Sequence, residues 1–135
     1  MQLTRIICAF VFMAGVFVPE VYAAQIAPGN VPEIGGTPTG FATPEAAIQA
    51  LRARRDVTFK DSGGWLIAED AANQAVWSFP PRSHPANPSA IKRSVVAGAD
   101  GKYYIYTAVQ CGGTKLVCDQ LVLDFQRLNA GIVGH

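Results

Sequence analysis

The sequence predicts an α+β domain: an N-terminal helix, an antiparallel meander of four to five strands, and a C-terminal helix packed on the sheet. Three observations carry this. Apolar residues recur at helical spacing at both ends of the folded part: Ala47, Ile48 and Leu51 at one, Cys118, Leu121, Val122, Phe125 and Leu128 at the other. Between them the apolar period is two. The short strands are separated by hairpin-length turns, which favours sequential antiparallel neighbours. Half of the 135 residues are apolar and 16% are charged. That is the make-up of one ordinary globular domain, and it excludes a disordered charged tail, a coiled coil and a collagen-like repeat.

The chain divides into four parts. Residues 1–23 read as a secretory signal: the α-amino group and Arg5 make the positive end, residues 6–18 are apolar, and Val21 and Ala23 supply the small cleavage positions. That apolar run is shorter than the ~20 residues a spanning helix needs, and no other segment is long enough. After cleavage no integral membrane span is expected. Residues 24–42 are rich in Pro and Gly and read as a flexible lead. Residues 43–130 form the single domain, and residues 131–135 a tail.

Within the domain, Thr43 caps the first helix, Pro44 suits its first turn and Glu45 favours the positive end of its dipole. Arg52, Arg54 and Arg55 crowd its far end, where cations suit the dipole and their stems stay solvated. Val57 and Phe59 begin a strand, and Asp61-Ser62-Gly63-Gly64 turns the chain. Residues 65–69 and 75–79 are strands around a turn at 70–73, and Pro80 and Pro81 stop the second of them. Residues 91–97 and 102–109 are joined by Gly98-Ala99-Asp100-Gly101, a hairpin signal. Gly112-Gly113 breaks the last strand, Thr114 caps the last helix, and residues 129–131 end it. Both helical stripes need an apolar partner, so both helices are expected on one face of the sheet, with the other face partly covered.

The cysteines agree with export. Cys8 leaves with the signal, and Cys111 and Cys118 remain as an even pair, most simply a disulfide. Closing so short a ring contributes about 2.5 kcal/mol in the loop-entropy picture. Zinc needs four ligands, and His84 and His135 are both far from the pair. A redox pair is usually CxxC, not CGGTKLVC. No Asn-x-Ser/Thr site follows residue 23, since Asn87 precedes Pro88. The expected location is periplasmic or secreted, in a bacterium.

Function-bearing motifs are scarce. The sequence has no HExxH, GxSxG, GxGxxG or phosphate-binding Gly-Lys-Ser/Thr loop. No catalytic residue, metal or cofactor is expected. A net charge of +1, unchanged when Arg5 and Glu20 leave together, argues against nucleic acid and anionic lipid as partners. Asp61, Glu69 and Asp70 flank turns, where turn chemistry accounts for them. A small exported enzyme, a hydrolase with an unannounced site, is the alternative, since a carboxylate pair need not be close in sequence. Residues 77–93, WSFPPRSHPANPSAIKR, stand out: a long proline-stiffened connection between strands is where binding tends to sit. Trp77, Phe79, Arg82 and His84 are the candidate anchors. The competing reading is that Trp77 and Phe79 are core and the prolines guard a sheet edge. The expected function is non-catalytic binding of an envelope protein or a wall or membrane component.

The run VWSFPPRSHPANPSAIKR, then CDQLVLDFQRLN after a first Cys and a short spacer, with GGW at residues 63–65, resembles a group of small exported bacterial proteins of uncharacterised function. The resemblance covers residues 43–129; it implies a compartment and a domain and transfers no site. A helix followed by an antiparallel meander is also similar to the cystatin kind of protease inhibitor in architecture alone, since the Gln-x-Val-x-Gly motif is missing.

Overall fold

A computed structural model describes residues 37–133. The signal at residues 1–23, lead residues 24–36 and residues 134–135 lie outside the described residues. The order is α1 (Pro44–Arg52), β1 (Val57–Ser62), β2 (Trp65–Asp70), a one-turn 3-10 helix (Ala71–Asn73), β3 (Ala75–Phe79), β4 (Ser89–Ala97), β5 (Tyr103–Cys111) and α2 (Lys115–Val133). The five strands form one antiparallel sheet in sequence order. The meander and its two flanking helices follow the sequence expectation.

Local chemistry sets the ends of the elements. Thr43 Oγ1 accepts the Ala46 N–H at 3.1 Å, with Pro44 in the first turn. Thr114 Oγ1 accepts the Val117 N–H at 3.4 Å at the start of α2. At the far end α2 runs through Gly131 to Val133, past the expected stop at 129–131 and into the expected tail. A helical Gly costs about 1 kcal/mol relative to Ala, which weakens a helix without ending it.

The two helices cover opposite faces of the sheet, and this corrects the expectation of one covered face. The register puts Phe59, Ala68, Trp77 and Lys92 in one row, so they share a face. On that first face Ala47 and Leu51 of α1 meet Val57, Ala68, Trp77, Phe79 and Ala90. Ile91 and Val109 are one residue out of phase and point the other way, where Leu121 and Phe125 of α2 cover them. Cys111 supplies the physical reason. It shares the face of Val109, and Cys118 lies on the buried stripe of α2 at a Cα–Cα distance of 5.8 Å. The helix that leaves β5 is therefore held over that second face, while α1 takes the first.

Two boundaries also move. Thr39 is buried; its hydroxyl donates to Gln110 Oε1 at 3.1 Å, and Gln110 Nε2 donates to the Ala42 carbonyl at 2.8 Å. Phe41 packs edge-on against Trp77. The end of the Pro/Gly-rich lead is thus part of the folded unit. Leu128 is 48% exposed, although the helical stripe includes it. The buried line continues instead through Asn129, whose Nδ2 donates to Thr107 Oγ1 at 2.8 Å.

Candidate functional site

Between β3 and β4 the chain makes a loop, residues 80–88, that is laced by its own hydrogen bonds. Pro80 brings no N–H to extend the ladder. Two turns follow: the His84 N–H reaches the Pro81 carbonyl and the Asn87 N–H reaches the His84 carbonyl, both at 2.9 Å. Asn87 Nδ2 donates to the Pro80 carbonyl at 3.0 Å, and the Ser89 hydroxyl donates to the Ala86 carbonyl. The Asn87–Pro88 peptide is cis. Ala86 is fully buried in the core under α2.

Gly112 and Gly113 seat this loop. The Gly112 N–H donates to the Pro88 carbonyl at 2.8 Å. A Cβ on Gly112 would lie 2.6 Å from that oxygen, and one on Gly113 would press on Pro85 and Ala86. The pair expected only to break a strand is a close approach of two backbones.

His84 is docked, not free. Its imidazole meets the Trp65 indole edge-on, and Trp65 in turn meets Phe125 of α2 at 5.9 Å. His84 Nδ1 accepts the Ala86 N–H at 3.1 Å, so the proton of the neutral ring sits on Nε2. The Arg93 guanidinium lies over the other side of the run, 5.5 Å from the Phe125 centroid. Arg93 has no carboxylate partner among the described residues, and its Nε is buried without an acceptor. Burial pushes its pKa down from the ordinary arginine value.

The structure separates the four candidate anchors. Trp77 and Phe79 are 2% and 3% exposed, stacked on each other beneath α1. They are core residues, because their shared face is the one α1 covers, and they present nothing to a partner. His84 is half-buried against Trp65. Arg82 alone stands exposed at the loop tip, with no hydrogen bond or ion pair among the described residues. Trp65 and Arg93 belong to this region and were not among the expected site residues. The available signal was a cation between Ile91 and Val95 at an inward position of β4, and an indole directly after a Gly-Gly turn.

The turn carboxylates are engaged in the fold. Asp61 Oδ1 accepts the Gly64 N–H at 3.2 Å, and Glu69 pairs with Lys60. Asp70 is buried and takes both terminal nitrogens of Arg54, at 2.7 and 2.9 Å, together with Asn73. The Arg54 guanidinium holds the Asp70 carboxyl below the usual carboxylate range, against the cost of burial. Arg54 also grips Asp56, so it is a clamp between the α1–β1 turn and the end of β2, not the solvated helix-end cation expected. Cys111 and Cys118 stand at disulfide distance. Among the described residues no group of three His, Cys, Asp or Glu side chains could hold a metal ion, and no helix is long and apolar enough to cross a membrane. No protein-family model, no curated protein and no solved structure matches this chain.

Proposed function

We propose that this chain is a non-catalytic exported envelope protein that binds another envelope component through the 80–88 loop. One observation carries the reading: the loop is held by its own hydrogen bonds and by the His84–Trp65 contact, yet it leaves Arg82 exposed and unpaired. A loop ordered beforehand loses little entropy on association. An unpaired guanidinium at its tip suits a carboxylate on the partner, which it can grip with two parallel hydrogen bonds. A protein with an acidic side chain fits this best among envelope components. The signal-like residues 1–23 and the Cys111–Cys118 pair support a periplasmic or secreted location, where thiols oxidise.

The test is capture from envelope extract with the parent protein and with Arg82→Ala. Arg82 is exposed and has no hydrogen bond or ion pair among the described residues, so the variant should keep the parent melting temperature. Recovery of the specific partner should fall by about fivefold or more, the loss typical of an interface anchor. Equal recovery by both proteins would make the loop a connector.

A further inference from the structure

We infer that the second face of the sheet binds a fatty acid beside α2, with its carboxylate on Arg93 and its acyl chain on Val76, Ile67 and Leu128. This site is separate from the 80–88 loop and does not rest on its reading.

The register lays out the floor. Thr58, Glu69, Val76, Arg93 and Thr107 form one row on the α2 face of the sheet. Lys60, Ile67, Ser78, Ile91 and Val109 form the next row on that face. α2 runs over β5, and Asn129 reaches down to Thr107 there. Phe125 turns the other way, toward Arg93 and Trp65. Successive helical residues are about 100° apart, so Phe125 lies between Asn129 and Leu128 around the axis. Leu128 therefore points over β4 and β3, and it is 48% exposed. Val76 and Ile67 beneath it are half-buried and belong to neither core cluster. The helix thus overhangs an apolar strip of sheet that no other described element covers.

Arg93 stands at the base of this strip. Its neighbours on the face are Val76, Ile91, Val95 and Thr107, with the Phe125 ring against its guanidinium. It has no hydrogen bond or ion pair among the described residues. Its Nε is enclosed, while its terminal nitrogens are not buried. The Thr107 hydroxyl is engaged by Asn129. Glu69, the carboxylate of the row, is two strands away, roughly 10 Å, and is paired with Lys60. A cation held among apolar groups without an acceptor is unfavourable, and an anionic ligand relieves it.

The surroundings select the rest of the ligand. β2, β3 and β4 are paired with strands on both sides, so the face offers no free backbone donor or acceptor. Beside Arg93, Ser78 is the only polar residue among Ile67, Val76 and Ile91. A peptide laid here would bury amides without partners. An acyl chain has no such groups, and its carboxylate can take two parallel hydrogen bonds from the terminal nitrogens of Arg93.

Calorimetry on the purified protein with decanoate, below its micelle concentration, tests this. Decanoate should bind, and Arg93→Gln should weaken it about tenfold or more through loss of the charged hydrogen bonds. Leu128→Asp, at an exposed position, should weaken it comparably. Acetate has the head without the chain and decanol the chain without the charge, so both should bind at least tenfold more weakly than decanoate. In the parent protein decanoate should shift the methyl resonances of Ile67, Val76 and Leu128, a readout that stands even where Arg93→Gln fails to fold. No binding of decanoate overturns the inference, as does binding that is indifferent to Leu128→Asp or equalled by decanol. Shifts confined to other residues overturn it too. So does a glutamate-containing peptide that displaces decanoate at lower concentration, which would assign Arg93 to a protein partner.

Discussion

The indole of Trp65 and the imidazole of His84 meet with ring centroids 5.1 Å apart and planes inclined at 69°. An edge-on arrangement sets the positive rim of one ring against the negative face of the other. It ties the 80–88 loop to β2, an element the loop does not adjoin in sequence. Trp65→Leu should remove the ring while keeping apolar bulk. The His84 ring-proton resonances should move toward free-histidine positions, and stability should fall by about 1–2 kcal/mol. Unmoved resonances would mean the two rings are not in contact.

Gly112 and Gly131 should respond in opposite directions to the same substitution. A methyl at Gly112 meets the Pro88 carbonyl at 2.6 Å, and backbone must shift to admit it. Gly112→Ala should cost about 1–3 kcal/mol by overpacking. Gly131 lies within α2 with nothing within 4 Å of its virtual Cβ, so Gly131→Ala should gain about 0.5–1 kcal/mol from helix propensity. Urea denaturation of both variants measures the difference.

Phe125 touches Trp65 and Arg93 and is 8% exposed. Phe125→Ala should lose about 3–5 kcal/mol, a large share of the stability of a small domain. Leu128→Ala should lose well under 1 kcal/mol, because that side chain already faces water. Asp124→Ala should also change little, since its bonds to Gln120 and Arg127 are exposed. Thermal melts that rank Leu128 with Phe125 would place α2 differently on the sheet.

Asp70 links stability to acid. Its folded-state pKa is lowered, chiefly by the Arg54 hydrogen bonds. An unfolded Asp takes up its proton near pH ~3.9, and the folded one only at lower pH. Between those limits the unfolded chain holds more protons, so this stabilisation is complete above the unfolded pKa and is lost as pH falls through the folded one. Asp70→Asn should cost about 2 kcal/mol at neutral pH, from losing charged hydrogen bonds. It should also flatten the acid limb of the melting-temperature profile. An unchanged profile would assign the acid sensitivity elsewhere.

Cys111 and Cys118 stand at disulfide distance, and loss of the short ring they are expected to close should cost about 2–3 kcal/mol in Cys118→Ala. Thiol titration of the unfolded, unreduced protein, taken from the envelope, should find no free thiol at Cys111 or Cys118. Two free thiols there would remove both the bond and the argument for an oxidising compartment.

The elements were legible because each rests on neighbours a few residues away. The Thr43 cap, the turn at residues 61–64, the hairpin at residues 98–101 and the helical period from Cys118 to Phe125 were all readable in the sequence. The candidate site was legible only as a segment. Arg82 and His84 look alike in a proline-rich run, and only the fold exposes one and docks the other on Trp65. Trp77 and Phe79 show the same limit. Their alternation with Val76 and Ser78 puts them on a common face without saying what lies above it.

What the sequence determined by itself is local: which residues are helix, strand and turn, that the strands follow one another as a meander, and that Cys111 and Cys118 are spaced to meet. What only the tertiary structure decided is which side each helix takes. That choice made Trp77 and Phe79 core under α1, laid α2 over Ile91 and Val109, and brought Gly112 to Pro88 and Arg54 to Asp70. The reason is a symmetry of the pattern. A period of two assigns side chains to two faces but treats the faces alike, and a helical stripe names no partner. Contacts between distant residues, the close approach of Cys111 to Cys118 of α2 among them, break that symmetry.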